Sequence, residues 1–178
     1  MAQLVTIDFE TRSAVDLRKI GVHRYAEDAS TAPWCMAYAF DDEPVQLWKL
    51  GDPLPQDLAD HVAAGGLVEA HNAAFELSVW NLLCVPRYGW PPLSIAQCRC
   101  TMAMAANLAL PRALGNLAPV LGLATNKDKE GTALMLRMAR PRKTLEDGTH
   151  VWWDTTDKRE RLYAYCKTDV EVERLASK

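Results

Sequence analysis

QLVTIDF, residues 3–9, is β-rich and predicts a strand, and IDFET at 7–11 closes that strand with two acids, Asp8 and Glu10. Side chains alternate along a strand, so residues two apart share a face. Asp8 and Glu10 therefore point one way and Phe9 the other. Two like charges side by side repel, and each raises the pKa of its neighbour. A bound cation removes that cost. The plain alternative is a strand end running into solvent, where acids are common.

Working outward, WCMAYAF at 34–40 and VQLWKL at 45–50 flank DDEP, a turn-forming sequence, and predict an antiparallel hairpin. Residues 12–32 between the first strand and this hairpin are mixed and polar and read as a long loop. PQDLADHVAAG at 55–65 predicts a helix that starts at a proline and stops at Gly65–Gly66. GLVEA at 66–70 reads as a short buried strand, and AAFELSVWNLL at 73–83 as a helix with Asn72 at its N-cap. Residues 86–93 are proline-rich and read as a loop. Residues 95–100 predict a last strand leading into the helix TMAMAANLAL. Two or three short helices are expected within 112–140, and a final helix from about Thr156 to the end. Strands joined by helices run parallel, whereas hairpin strands run antiparallel. The expectation is an α/β fold in which a mixed sheet carries helices.

A length of 178 residues fits one domain. No run of 18 apolar residues occurs, so no transmembrane helix is expected, and the acids near the N-terminus break up any signal-peptide core. The chain reads as a soluble cytoplasmic protein. Five cysteines without a secretory signal read as reduced thiols. Cys98 and Cys100 suggest a zinc site only weakly, because no second cysteine pair follows. A net charge of −3 argues against a nucleic-acid partner at first, but 127–143 carries a local surplus of four positive charges.

Two further acid settings stand out. In HNAAFE at 71–76, Asn72 and Glu76 are four apart and share one side of a helix. The plain alternative is an N-cap followed by a first-turn acid favoured by the helix dipole. In YCKTDVEVE at 165–173, Tyr165 and Asp169 are again four apart. Leu162 and Cys166 lie near that face, so Asp169 adjoins the buried side and needs a partner or a metal. Asp157, Glu160, Glu171 and Glu173 read as solvated charges.

An acid pair ending strand one, an Asn-x-x-x-acid opening a helix, and a Tyr-x-x-x-Asp in a C-terminal helix together resemble the DEDD superfamily of 3′→5′ exonucleases. Its fold is RNase H-like, and the resemblance runs from Ile7 to Val170. Tyrosine rather than histidine near the last aspartate is similar to the tyrosine branch, which contains polymerase proofreading domains. IDFETRS, AHNAAFE, TMAMAANLALP, KDKEGTALM and YCKTDVEVER look like the N-terminal exonuclease region of phage-encoded DNA polymerases of the polymerase I type. The resemblance implies a single domain spanning 1–178, either excised from a longer polymerase or standing alone.

It further implies a proofreading hydrolysis of DNA from single-stranded or frayed 3′ ends in a host cytoplasm, with two divalent ions, magnesium by default and manganese as a substitute. Asp8, Glu10, Glu76 and Asp169 would be the metal ligands, with Asp8 bridging the ions and Glu76 on the leaving-group side. Tyr165 would orient the attacking water. Phe9 and Thr11 through their backbones, together with Asn72, Lys129, Arg142 and Lys143, would hold substrate. Two bound ions would move the formal charge from −3 to +1. The usual second-motif acid is aspartate, and position 76 departs from that. An RNA-trimming exonuclease, or a module that keeps the fold for binding without catalysis, remains open at this stage.

Overall fold

The computed structural model describes residues 3–123 and 128–178. Strand β1 (Leu4–Arg12) leads into helix α1 (Leu17–Glu27), and the hairpin β2 (Ala32–Phe40) and β3 (Gln46–Lys49) follows. Helix α2 (Gln56–Ala63), β4 (Leu67–Ala70) and α3 (Ala73–Ser78) come next. The helix of α3 continues as a wider π segment, 79–84, into α4 (Val85–Tyr88). Then come β5 (Cys98–Cys100), α5 (Thr101–Asn107), α6 (Leu114–Val120) and α7 (Lys129–Met138). A short ribbon of β6 (Lys143–Thr144) and β7 (His150–Val151) precedes the long helix α8 (Thr156–Ala176).

The main sheet has the order β3-β2-β1-β4-β5. β1 pairs antiparallel with β2 and β2 with β3, whereas β1–β4 and β4–β5 are parallel. This is the expected RNase H-like mixed sheet flanked by helices. The turn-linked β2 and β3 lie antiparallel and the helix-linked β4 and β5 parallel, whereas β1 and β2 are antiparallel although α1 joins them.

β1 is central and works on both faces. Its odd residues Val5, Ile7 and Phe9 enter one core with Trp80, Leu83 and Trp90, where the Phe9 ring lies 6.1 Å from that of Trp90. Its even residues Thr6, Asp8, Glu10 and Arg12 face the other side. There α8 buries Leu162, Cys166 and Val170 against Trp34, Cys35 and Ala37 of β2. The acids are thus set at the seam between the sheet and its longest helix.

Four local expectations fail. The segment 12–32 holds α1, capped by the Asp16 side chain accepting from the Arg18 amide. Gly21 at φ 77° interrupts that helix and hides its period. The segment 86–93 begins inside a helix that runs to Tyr88, since the backbone continues from α3 through the π segment past Pro86. Of 95–100 only Cys98–Cys100 is strand. Residues Ile95–Gln97 form a 3₁₀ turn closed by a Ser94–Gln97 capping box. The helix at 73–83 is α-helical only to Ser78.

Candidate metal centre

One ligand oxygen from each of Asp8, Glu10 and Asp169 lies within 4.8 Å of the others. β1 supplies the first two by its two-residue period, and α8 supplies the third by packing across β1. Burial pushes the Asp8 carboxyl up to about 6, against a bond from the Cys166 thiol, 3.4 Å from Oδ2, that pulls it down. Burial and then the Asp8 charge lift Asp169 to about 7, and the Tyr165 hydroxyl, hydrogen-bonded to it, pulls it down. Glu10 is 8% exposed and raised well above an ordinary carboxylate, first by burial and then by Asp8, Cys35, Asp169 and Glu76. A set of carboxylates without a counter-ion raises pKa values in this way.

Glu76 lies outside the three-way group but in its field. It is 4% exposed, and burial followed by the Asp8 charge raises its pKa. Its Oε2 is buried and has no hydrogen-bond partner. An orphaned carboxylate oxygen beside three clustered carboxylates fits a divalent cation with hard oxygen ligands. Asn72 does stand at the N-cap position of α3, but in the left-handed region at φ 79° and with no side-chain cap bond. Its amide is exposed, so the capping role read from the sequence is not what its side chain does.

Tyr165 sits between Asp169 and α7. Besides the bond to Asp169 it hydrogen-bonds Thr132, and burial raises its pKa above the ordinary phenol value. The ring lies close to Gly131, where an added Cβ would come within 2.6 Å of Tyr165 Cδ2. Asp128 caps α7 by accepting from the Gly131 amide at 2.7 Å and pairs with Arg161, one turn before Tyr165 on α8.

The remaining substrate candidates divide. Phe9 points into the opposite core, and the Thr11 hydroxyl is bonded to Tyr25 at 2.8 Å, so only their backbones remain for a ligand. Arg142 and Lys143 are exposed beyond the far end of α7, where Lys143 lines a cleft with Asp16 and Arg140. Lys127 and the side chain of Lys129 fall outside the described residues.

Glu173, which reads as a solvated charge in the sequence, is 1% exposed. Thr101 donates to its Oε1 at 3.4 Å, and burial, then Asp8, Glu76 and Glu69, raise its pKa. Its position four residues after Asp169 was the signal, because that spacing keeps the helix face. Glu69 on β4 is likewise fully buried. It is held by Ser177 at 2.6 Å and by Arg99 at 3.5 Å, and β4's place inside the sheet is what buries it.

Comparison with known proteins finds likenesses both in sequence and in structure. The chain is 38% identical over 177 residues to a DNA polymerase of Bacillus phage SP02, a match that takes in 96% of this chain and 26% of the relative. The chain therefore spans about a quarter of the length of the relative that it matches. Among solved structures, the family B DNA polymerase from the hyperthermophilic archaeon Pyrobaculum calidifontis superposes with a TM-score of 0.58. That likeness covers 99% of this chain and 24% of that one at 14% identity, a similarity of fold. No protein-family profile matches the chain. Among the described residues no helix is long and apolar enough to cross a membrane.

Proposed function

We propose that this chain is a metal-dependent 3′→5′ exonuclease domain that removes nucleotides from DNA 3′ ends, in the tyrosine branch of the DEDD superfamily. The observation that carries the reading is the convergence of Asp8, Glu10 and Asp169 within 4.8 Å, with Tyr165 bonded to the last of them. DNA is chosen over RNA because the sequence relative is a DNA polymerase. The same likeness supports a polymerase domain as the partner of this one in a longer protein.

In this reading Asp8, Glu10 and Asp169 would hold one divalent ion, and Glu76 together with Asp8 would serve a second, magnesium by default and manganese as a substitute. Such ions, when bound, supply a water of lowered pKa and stabilise the leaving oxygen. The carboxylates must be ionised to act as ligands, and their raised pKa values place that step near neutrality. Tyr165 stays protonated, since burial raises its pKa, and its hydroxyl orients the incoming water by a hydrogen bond. Thr132 and Gly131 fix the ring that carries that hydroxyl. The backbone of Phe9 and Thr11, with Asn72, contacts the terminal nucleotide. Lys129, Arg142 and Lys143 hold phosphates further upstream.

The test is a primer labelled at its 5′ end, incubated with magnesium, manganese or EDTA. Stepwise shortening that stops in EDTA is expected, and an RNA strand of the same sequence should be shortened more slowly. A primer left intact in both metals, or shortened equally in EDTA, would overturn the reading.

A further inference from the structure

Arg12 is the next residue after Asp8 and Glu10 on the same face of β1. At about 3.3 Å per residue its Cα lies about 7 Å beyond that of Glu10. Its guanidinium carbon is 4.2 Å from the centre of the Trp34 ring and 4.8 Å from that of Trp152. It is half-buried, and its Nε is buried without a hydrogen-bond partner. Among the described residues it has no ion pair. The acid whose field reaches it, Asp154, is committed to Arg159 at 2.8 Å. Arginine keeps its charge in proteins, so this is a permanent cation fixed between two indoles and lacking an anion.

A cation–π clamp alone does not account for the arrangement. Stacking on a ring face leaves the guanidinium N–H groups, which lie in its plane, in need of acceptors, and burial of a charged donor without one is costly. A planar fork held by its faces presents those N–H groups to a planar or tetrahedral oxyanion. The surface beyond continues in kind. Arg137 and Arg142 each lie 5.4 Å from the ring of Trp153, next in sequence to the clamping Trp152. A chain of phosphates leaving the acids along β1 would meet Arg12 first and this ridge next.

We propose that Arg12, held between Trp34 and Trp152, is a binding site for a backbone phosphate of the single strand, one or a few linkages upstream of the bond that is cut. The proposal rests on the exonuclease reading for the direction of the strand. Arg12 is a positioning residue in this scheme, since it touches the substrate away from the reacting atoms.

The test uses Arg12→Met, which keeps an apolar stem between the indoles and removes the charge, and Arg12→Lys, which keeps charge without the fork. Both are made in an Asp169→Asn background, so that the strand survives, and both are titrated with a 5′-fluorescein oligothymidylate in calcium. Arg12→Met should weaken binding about tenfold and lower the slope of log affinity against log salt by about 0.7, the value of one phosphate contact on a single strand. A set of oligomers, each with one neutral methylphosphonate linkage, then locates the contact. At one linkage near the 3′ end the neutral substitution and Arg12→Met should not add, whereas elsewhere they should. Arg12→Lys should keep the salt slope and lose part of the affinity.

Unchanged affinity and slope in Arg12→Met, or additivity at every linkage, would overturn the site and leave Arg12 as a structural clamp. If Arg12→Met does not melt cooperatively, the same linkage scan on Arg12→Lys decides. Failure of the exonuclease reading looks different: the unmodified chain would leave the strand intact in magnesium while the linkage coupling to Arg12 persisted.

Discussion

At the scale of single residues, Asp8 and Asp169 carry opposite obligations to folding and to ligand binding. Their pKa values, about 6 and about 7 in the folded chain, lie above the ordinary aspartate value of about 3.9. Between those limits the folded state holds more protons than the unfolded one, so its stability falls as pH rises through that window. The partly buried Asp128 and the exposed Asp147 and Asp157, whose pKa values hydrogen bonds depress, act with the opposite sign and only below about pH 4. In EDTA, therefore, the melting temperature should climb as pH is lowered from above 7 towards 5, and Asp169→Asn should flatten the climb. A melting temperature that drops steadily over the same range would show that these acids are not buried together.

Activity runs the other way, because the ligands must be ionised. It should fall as pH is lowered through 7 to 6. Asp8→Ala and Asp169→Ala should each lose orders of magnitude in rate with no loss of apo stability, since removing one of several repelling charges relieves the rest. A variant with near-normal turnover would mean that these acids do no catalytic work. Glu76→Gln, at nearly constant shape, should weaken metal binding and be partly rescued by excess metal. An acid serving only the helix dipole would change stability by about 0.3–1 kcal/mol and leave kinetics alone.

Between elements, the contact that matters to the chemistry is α7 against α8 at Gly131 and Tyr165. Glycine at 131 is required by space, since a methyl group there would press on the Tyr165 ring and on the Asp128 carboxylate. Tyr165→Phe removes one hydrogen bond and should slow hydrolysis roughly tenfold to a hundredfold, for about 1–3 kcal/mol of barrier. Gly131→Ala keeps the hydroxyl but displaces it by pushing its ring aside. A slowing of similar size is expected, with manganese affinity measured by paramagnetic resonance unchanged in both variants. If Gly131→Ala is silent in single-turnover rates, the ring is not held by α7. The Asp128–Arg161 pair and the Asp128 cap at Gly131 keep the start of α7 at this spot, so Asp128→Ala should reproduce part of the effect.

For the whole molecule, the sheet and α8 form a frame that must be closed for the acids to meet. Glu10 comes from a central strand and Asp169 from a helix more than 150 residues later, so unfolding disperses the site. A ligand that binds only the folded state stabilises it in proportion to its occupancy, by about 2.7 kcal/mol at a hundred times its dissociation constant. Manganese should thus raise the melting temperature at neutral pH, and Asp8→Asn should abolish the rise. An equal rise in that variant would place the ion elsewhere on the surface.

Much of this was legible in the chain because it depends on local periods. The two-residue alternation of β1 put Asp8 and Glu10 on one face, and the four-residue spacing put Tyr165 and Asp169 on one side of α8. Connection lengths alone separated the antiparallel hairpin from the parallel strands. What the sequence could not decide is what the other side of each element touches. Glu173 reads as a surface charge in VEVER and is buried only because α8 lies across β1 and approaches Thr101. Arg12 falls in a segment that reads as a polar loop and becomes a clamped cation only when Trp34 and Trp152, distant in sequence, close over it. Helix α1 was hidden by the break at Gly21 and is anchored by Tyr25, buried beside Phe75. Period and spacing are properties of a segment, and a sequence carries them whole. Burial and the pairing of a charge depend on distant segments, and only the folded chain decides them.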